Sequence, residues 1–202
     1  MDYVFAVEFV ELPREGGPGG TILATCEHGN AIVSRYPLAN TVRYRSARDW
    51  TSREDEPRFG GRVAVVADVR VGDHVVHLAS VHYESGNDDG DIRADQALET
   101  VEALGRRPGG RLVGGDMNTF DYGFDVALGT SMSPVVPVLL DAGYRDTHEA
   151  LPILQRVTRQ PLSVLDLLFV EGIQVQSPGR CDFTQCPDLS DHAPVWIELA
   201  LQ

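Results

Sequence analysis

Polar residues whose side chains could face a substrate follow an apolar segment near the middle of the chain. Asp116 and Asn118 stand just after the run Leu112–Val113, in the segment Gly-Asp-Met-Asn. Strand ends in α/β sheets are common ligand sites, because the backbone there is free to face a substrate. For so short a segment, the alternative is a turn in which Asp and Asn bond their own backbone.

Asp191 and His192 form a second polar group, immediately before the apolar segment Ala193–Leu201. The carboxylate is a hard oxygen ligand of the kind that divalent cations prefer. The imidazole can take or give a proton near neutral pH. A polar turn with a surface histidine is the alternative interpretation.

Two further polar residues interrupt or end apolar strands. His82 ends the run Val75–Val81, as expected for a residue that projects from a sheet edge into a cleft, although a structural histidine would also fit. Asp166 lies within Val164–Val170, where an unpaired carboxylate would be costly. A histidine partner is favoured, because a carboxylate fixes the imidazole tautomer and stabilises the imidazolium. Backbone amides are the alternative partners.

Short apolar segments bounded by turn residues predict the strands that would position these groups. The predicted strands are Tyr3–Leu12, Ala31–Ser34, Arg62–Arg70, His74–Val81, Arg111–Gly114, Val164–Val170 and Pro194–Leu201. Near-continuous apolar runs indicate strands that are covered on both faces. The Pro- and Gly-rich loop Pro13–Gly20 is predicted to be disordered.

Two segments have helical spacing. The first follows Asp91, the expected N-cap, and ends before Gly105. Its apolar positions are Ala94, Ala97, Leu98, Val101 and Leu104. The second is predicted to begin at Ser133, with Pro134 in the first helical position, and to stop at Gly143. Strands together with covering helices indicate a layered α/β domain.

The composition fits a single globular domain over residues 1–202. A chain of 202 residues, 43% of them hydrophobic, can bury a sizeable core. The net charge of −13 repels polyanions and counts against a binder of long nucleic-acid tracts. No apolar run is long enough to span a bilayer and no signal-peptide pattern is present, so we expect a cytoplasmic protein.

The three cysteines, Cys26, Cys181 and Cys186, are too few for a disulfide scaffold in a chain of this size. We expect them to be reduced and unpaired. A local Cys181–Cys186 bridge is the alternative.

Six segments, read in order, resemble the successive motifs of the endonuclease/exonuclease/phosphatase superfamily, which has the deoxyribonuclease-I-like fold. They are His28–Pro37, Ala79–His82, Ile92–Gln96, Gly115–Asn118, Leu165–Phe169 and Ser190–Val195. Each segment is short, but the order of all six along most of the chain makes the resemblance specific. It implies an α/β (α+β) four-layered sandwich, in which two mixed β-sheets are flanked by helices.

The resemblance also implies hydrolysis of a phosphodiester or phosphomonoester by an activated water, with Mg²⁺ or Mn²⁺. Asp116 would orient or activate the water, and Asn118 would hold a phosphate oxygen. His192 would act as general base or as proton donor, with its ring oriented by Asp166. His82 would hydrogen-bond the phosphoryl oxygens as charge develops on them.

The resemblance implies Asp191 as a metal ligand, and Glu8 is the residue that could substitute for the metal-binding Glu of the superfamily. Members of the superfamily begin with a strand that ends in Asn, followed by a strand that ends in a metal-binding Glu. This chain has no such Asn, and only 20 residues separate Glu8 from Gly29. An outward-facing strand residue is therefore the alternative for Glu8. We expect the chain to lack the N-terminal segment of the superfamily, which would leave an unpaired sheet edge.

The substrate class stays open among nucleic acid, lipid head groups and sugar phosphates. Arg93 and Gln96, on the helix after His82, are expected to brace the nearby loop rather than contact substrate. No stable protein partner is predicted. The alternative function is a catalytically impaired module of the same fold that binds a phosphate ligand, because the N-terminal Asn and Glu are missing.

Overall fold

The computed structural model describes residues 1–13, 15, 21, 24–47, 58–85, 90–119, 134–159, 162–183, 186 and 190–201. The strands in these ranges are β1 (Asp2–Glu11), β2 (Cys26–Ser34), β3 (Leu38–Arg45), β4 (Arg58–Gly60), β5 (Val63–Val71), β6 (His74–His82), β7 (Gly110–Asp116), β8 (Arg145–Asp146), β9 (Asp166–Glu171), β10 (Gln174–Arg180) and β11 (Val195–Ala200). The helices are α1 (Gly90–Leu104), α2 (Val135–Asp141) and α3 (Ile153–Arg156).

A six-stranded mixed sheet forms the centre of the molecule, in the order β3-β5-β6-β7-β9-β8. Strands β6 and β7 are parallel, and the other neighbouring pairs are antiparallel. The parallel pair is possible because α1 carries the chain back across the sheet between β6 and β7. Consequently the C-terminal ends of β6 and β7 lie at the same edge of the sheet.

The central strand β5 is apolar along almost its whole length because both of its faces are covered. Residues 63–69 are all buried. On one face of the sheet, helices α1 and α2 complete the larger core. The strand residues of this core include Ala64, Val66, Ala79, Val81, Val113, Leu167 and Phe169, and its helix residues include Ala97, Leu104, Val135, Val136 and Leu139.

A three-stranded antiparallel sheet, in the order β2-β1-β4, covers the opposite face of β5. Its inward residues Val4, Ala6 and Ile32 pack with the β5 residues Val63, Val65 and Ala67 in a second core. The outer face of this smaller sheet is open in the described part of the chain, where the cross-strand pair Tyr3 and Val33 is 76% and 64% exposed. Two facing sheets with helices outside confirm the predicted α/β sandwich. Among the described residues, α1 and α2 pack on the six-stranded sheet, and the short helix α3 contacts β10, which pairs with β11 in a separate two-stranded sheet.

All seven predicted strands are found, with small shifts of their ends. Strands β3, β4, β8 and β10 were not predicted. Strand β3 is largely exposed and contains an irregularity in its pairing beside Asn40, which has a φ of 48°. Strand β10 contains Pro178 and Gly179, two residues that weaken strand propensity. These strands form because a neighbouring strand offers a free edge for hydrogen bonding. The apolar pattern of their own sequence does not indicate that edge.

The helix boundaries differ slightly from the prediction. Helix α1 begins at Gly90, so Asp91 lies in its first turn rather than at the N-cap, and the negative charge still favours that end. Helix α2 begins at Val135 with Pro134 as its N-cap. Ser133 and most of the predicted disordered loop lie outside the described residues.

The expectation of unpaired cysteines is wrong for two of the three. Cys181 and Cys186 form a disulfide, and their Cα atoms are 6.2 Å apart. A turn brings them together, because the backbone N–H of Cys186 donates to the carbonyl of Asp182 at 2.9 Å. Cys26 is free and exposed.

No helix in the described ranges is long and apolar enough to cross a membrane.

Gly115 is required where β6 and β7 approach most closely. Its φ is 145°, and a Cβ atom there would lie 1.9 Å from the carbonyl oxygen of Val81. We expect Gly115→Ala to lower the free energy of unfolding by about 3 to 5 kcal/mol in urea denaturation, because backbone must move. The matched control is Gly72→Ala in the β5–β6 turn, where φ is 61° and no atom lies within 4 Å. It should cost only about 1 to 2 kcal/mol, and equal losses in the two variants would contradict the prediction.

Candidate active site

Three polar residues lie side by side at one edge of the six-stranded sheet. The strand register places His82 opposite Asp116 in the parallel pair β6–β7. It also places Asp116 opposite Asp166 in the antiparallel pair β7–β9. Two hydrogen bonds continue this pairing past the strand ends, from Tyr83 N–H to the Asp116 carbonyl at 2.9 Å and from Met117 N–H to the Leu165 carbonyl at 2.8 Å. The row of side chains therefore stands on firmly paired backbone.

His192 joins this row from the segment before β11. The backbone N–H of Ala193 donates to the Thr158 carbonyl at 2.7 Å, which fixes that segment against the chain preceding β9. The Thr158 hydroxyl in turn accepts from the backbone N–H of Asp166 at 3.0 Å. As a result, His192 Nδ1 lies 2.7 Å from Asp166 Oδ2, and about a fifth of each side chain is exposed. The predicted histidine partner of Asp166 is thus present, although its carboxylate is less buried than expected.

The charges in this row shift the proton affinities of two groups. The hydrogen bond that the His192 ring donates to Asp166, together with the nearby negative charges, raises the pKa of His192 against the opposing effect of burial. Burial and the charge of Asp166 raise the pKa of Asp116, although His82 and other contacts oppose this. The site therefore combines an imidazole that holds its proton more tightly than usual with a carboxylate that can more readily accept one.

Asn118 lies beside the row in a constrained turn, with a φ of 48°. Its backbone N–H donates to Asp116 Oδ1 at 2.9 Å, so the turn that was the alternative interpretation is also present. Its side-chain Nδ2 donates to the Tyr83 carbonyl at 2.8 Å. The amide is buried, and this bond fixes its orientation next to Asp116. Its predicted contact with a phosphate oxygen stays a prediction.

His82 contacts carboxylates on both sides of its ring. Nδ1 lies 3.0 Å from Glu8 Oε2, and Nε2 lies 3.7 Å from Asp116 Oδ2. Glu8 is 1% exposed and also accepts from Arg62 at 2.6 Å, so its interpretation as an outward-facing strand residue is wrong. Burial by itself raises the pKa of Glu8, but the bond to His82 and the charge of Arg62 outweigh it and lower that pKa.

Among the described residues, Asp116, Asp166 and His192 form the group that could hold a metal ion, and their ligand atoms all lie within 4.8 Å of one another. The two carboxylate oxygens are ligands that suit Mg²⁺ or Mn²⁺, whereas the imidazole nitrogen suits a transition metal better than Mg²⁺. The two ligands expected from the sequence lie elsewhere. Glu8 is bonded to Arg62 and His82, whereas Asp191 is 70% exposed and forms an ion pair with Arg159 at 3.2 Å.

The loop after His82 is braced as predicted. Gln96 Oε1 accepts from the backbone N–H of Glu84 at 2.8 Å, and Arg93 donates to the Glu84 carbonyl at 3.3 Å. Sequence reasoning missed Arg62, which is 2% exposed and lies directly under Glu8. Its signal was weak but present: a single arginine stands at the start of the apolar run that becomes β5.

A profile described as the Endonuclease/Exonuclease/phosphatase family matches residues 7–192. The chain belongs to this family. Members of the family are hydrolases that act on phosphate esters. The match includes every residue of the row described above, together with Glu8 and Asp191. A comparison with curated protein sequences finds no significant match.

Solved structures of the family share the fold. The endonuclease/exonuclease/phosphatase from Beutenbergia cavernae DSM 12333 is 17% identical with a TM-score of 0.68, over 98% of this chain and 53% of that chain. The human Nocturnin catalytic domain with bound sulfate anion is 13% identical with a TM-score of 0.65, over 98% and 71%. The mannosyl-6-phosphatase Bt3783 from Bacteroides thetaiotaomicron VPI-5482 is 16% identical with a TM-score of 0.63, over 98% and 77%. This chain therefore spans about half the length of the Beutenbergia structure.

The bond between Asp166 and His192 predicts a change in proton affinity. Asp166→Asn should lower the pKa of His192, because the carboxylate that stabilises the imidazolium becomes neutral. The proton would then be lost at lower pH than in the wild type. The measurement is an NMR titration of the His192 ring resonance with EDTA present.

Asp141→Asn is the matched control, because it removes the same charge at an exposed position on α2. This control should leave the pKa of His192 unchanged. An unchanged or higher His192 pKa in Asp166→Asn would contradict the geometry.

Proposed function

We propose that this chain is a divalent-metal-dependent phosphoesterase that hydrolyses its substrate with an activated water. The observation that carries the proposal is the convergence of Asp116, Asp166 and His192 at one sheet edge, with His82 beside them. These are carboxylate and imidazole groups, and phosphoryl transfer depends on positioned groups of this kind and on neutralisation of charge.

Asp116 is assigned to the attacking water. Its raised pKa makes the carboxylate a better proton acceptor, which is the property needed to orient and activate a water molecule. His192, whose pKa is also raised, is assigned as the proton donor to the phosphate or to the leaving oxygen. Asp166 holds the His192 ring through Nδ1, so that Nε2 is the nitrogen left for the substrate.

His82 and Asn118 are assigned to the phosphate itself. His82 is bonded to Glu8 through Nδ1, so its Nε2, on the side of Asp116, is placed to donate to a phosphoryl oxygen when the ring carries a proton on both nitrogens. Asn118 has its side-chain amide fixed beside Asp116 by the bond to the Tyr83 carbonyl. Hydrogen-bond donors that are fixed before the reaction stabilise developing charge without reorganisation.

Asp116, Asp166 and His192 are the residues that would hold the metal, Mg²⁺ or Mn²⁺. When bound, such an ion supplies positive charge that neutralises the phosphate. Asp191 lies next to His192 in sequence and would join the site if its ion pair with Arg159 opened. Nε2 of His192 cannot coordinate the ion and donate a proton at the same time, so in the proton-transfer role assigned above Asp116 and Asp166 would hold the ion.

The substrate is a phosphate ester, and we propose a small one such as a sugar phosphate or a lipid head group ahead of nucleic acid. The net charge of −13 disfavours a polyanionic substrate. Bt3783, one of the structures with this fold, is a mannosyl-6-phosphatase. Hydrolysis of p-nitrophenyl phosphate and of bis(p-nitrophenyl) phosphate separates monoester from diester preference.

Turnover of these two esters with Mg²⁺, Mn²⁺ or EDTA tests the proposal directly. We expect turnover that requires metal and that falls by about 100-fold or more in His192→Ala and in Asp116→Asn. The matched control is His74→Ala, at the opposite end of β6 from His82, which should retain wild-type turnover.

Absence of turnover in a folded protein would contradict the proposal. If such a protein still bound inorganic phosphate, the alternative of a catalytically impaired binding module would be favoured. The two predicted metal carboxylates that lie outside the cluster, Glu8 and Asp191, are the observation that keeps this alternative in view.

A further inference from the structure

We infer that Glu8 is a positioning residue for His82 and that Arg62 holds Glu8 in that role. This inference rests on the proposed function, since it concerns how one of its residues is oriented. It also changes the assignment of Glu8, because the sequence indicated a metal ligand at this position.

Strand β1 turns Glu8 inward at an irregularity in its pairing with β2. The register shifts between Val7 and Phe9, so that Glu8 and Phe9 are both buried. Two glycines allow the neighbouring strands to approach the Glu8 backbone. A Cβ atom at Gly29 would lie 2.8 Å from the Glu8 nitrogen, and one at Gly60 would lie 2.0 Å from the Glu8 carbonyl oxygen. The backbone conformation of β1 therefore places the Glu8 carboxylate next to His82.

Arg62 holds the Glu8 carboxylate in place through a hydrogen-bonded ion pair. Its Nη1 lies 2.6 Å from Glu8 Oε1, and its Nη2 lies 3.2 Å from Glu84 Oε1. The guanidinium also lies over the Phe9 ring, 5.2 Å from its centroid. Arg62, Glu8 and Glu84 are all nearly inaccessible to solvent, so this cation has little freedom to rotate away.

The two oxygens of Glu8 are therefore used in different ways. Oε1 accepts from Arg62, and Oε2 lies 3.0 Å from His82 Nδ1. A carboxylate oxygen is an acceptor only, so Nδ1 of His82 must carry a proton and donate. The orientation of the ring is fixed by this bond, and Nε2 is directed to the side of Asp116, 3.7 Å from Asp116 Oδ2.

The same arrangement occurs on the other side of Asp116. His192 also bonds a carboxylate through Nδ1, at 2.7 Å from Asp166. Both histidines therefore have Nδ1 committed to a carboxylate, which leaves Nε2 of each for the substrate. This use of a carboxylate to fix a ring tautomer and orientation is a general device of catalytic sites.

A positioning role and a metal-ligand role predict different results for Glu8→Gln. Arg62 can only donate, so it would draw the amide oxygen of Gln toward itself and leave the amide NH₂ facing His82. Nδ1 would then face a donor, and the His82 proton would move to Nε2. In the positioning role, kcat should fall by about 10- to 100-fold, because the ring loses the carboxylate that orients it and stabilises its doubly protonated form. The metal concentration that gives half-maximal turnover should stay within about twofold of wild type.

The decisive measurement does not depend on turnover. Long-range ¹H–¹⁵N NMR of the histidine rings reports which nitrogen carries the proton, and His82→Gln identifies the His82 signals by their loss. We expect wild-type His82 to be protonated at Nδ1 and the Glu8→Gln variant to be protonated at Nε2 and not at Nδ1. Glu8→Asp, which keeps the charge on a shorter side chain, should retain the wild-type ring signature in part.

Glu84→Gln is the matched control, because it alters the other carboxylate on the same guanidinium. It should lower the thermal stability and leave Nδ1 of His82 protonated. If Glu8→Gln fails to fold, the wild-type spectrum still decides, since His82 without a proton on Nδ1 would overturn the inference. A variant Glu8→Gln with an unchanged His82 ring, or with a large rise in the metal requirement, would also overturn it.

These outcomes separate this inference from the proposed function. A protein without phosphoesterase turnover but with the expected ring signatures would refute the function and retain the role of Glu8 toward His82. Metal-dependent turnover with His82 unaffected by Glu8→Gln would support the proposed function and refute the role of Glu8 toward His82.

Discussion

The pairing of β7 with its two neighbours is the constraint on which the rest of the site depends. Its parallel register with β6 brings the end of that strand level with Asp116, and its antiparallel register with β9 brings the start of that strand to the same place. A slip of one residue in either pair would turn a polar side chain away from the cleft, because side chains alternate between faces. Backbone hydrogen bonds thus set the spacing of the functional side chains.

Charged side chains inside the molecule are paired with groups of opposite charge or with imidazoles. Glu8 and Asp166 each bond an imidazole, and Arg62 and Arg156 each bond a buried carboxylate. Removing a single charge from water costs several kcal/mol, so these groups are stable only together with their partners. The contacts of Glu8 on β1 with Arg62 and with His82 on β6 therefore also help to hold the smaller sheet against the larger one.

This pairing also affects how the acidic chain meets an anionic substrate. All 17 basic residues are arginines against 30 acidic residues, and several of the arginines neutralise carboxylates inside the molecule. Arg159, 44% exposed and paired with Asp191, is the described arginine that lies beside His192. In the proposed function, attraction of a phosphate would then be local to the site, where fixed hydrogen-bond donors and a metal ion, if bound, would act over short distances.

The sequence alone determined the family, the main strands and helices, and the identity of the polar residues at strand ends. It could do so because apolar periodicity and six ordered motifs are local properties of the chain. A histidine partner for Asp166 was also predicted, since a carboxylate within an apolar strand requires a partner, and the family resemblance identified it as His192.

Only the tertiary structure decided which carboxylates face one another. Glu8 is 74 residues away from His82 in the chain, and its contact depends on an irregularity in β1 and on two glycines that admit the backbone. Strands such as β3 and β10 likewise form on the edges of their neighbours. These features arise from register and close approach between distant segments, which the order of residue types along the chain does not encode.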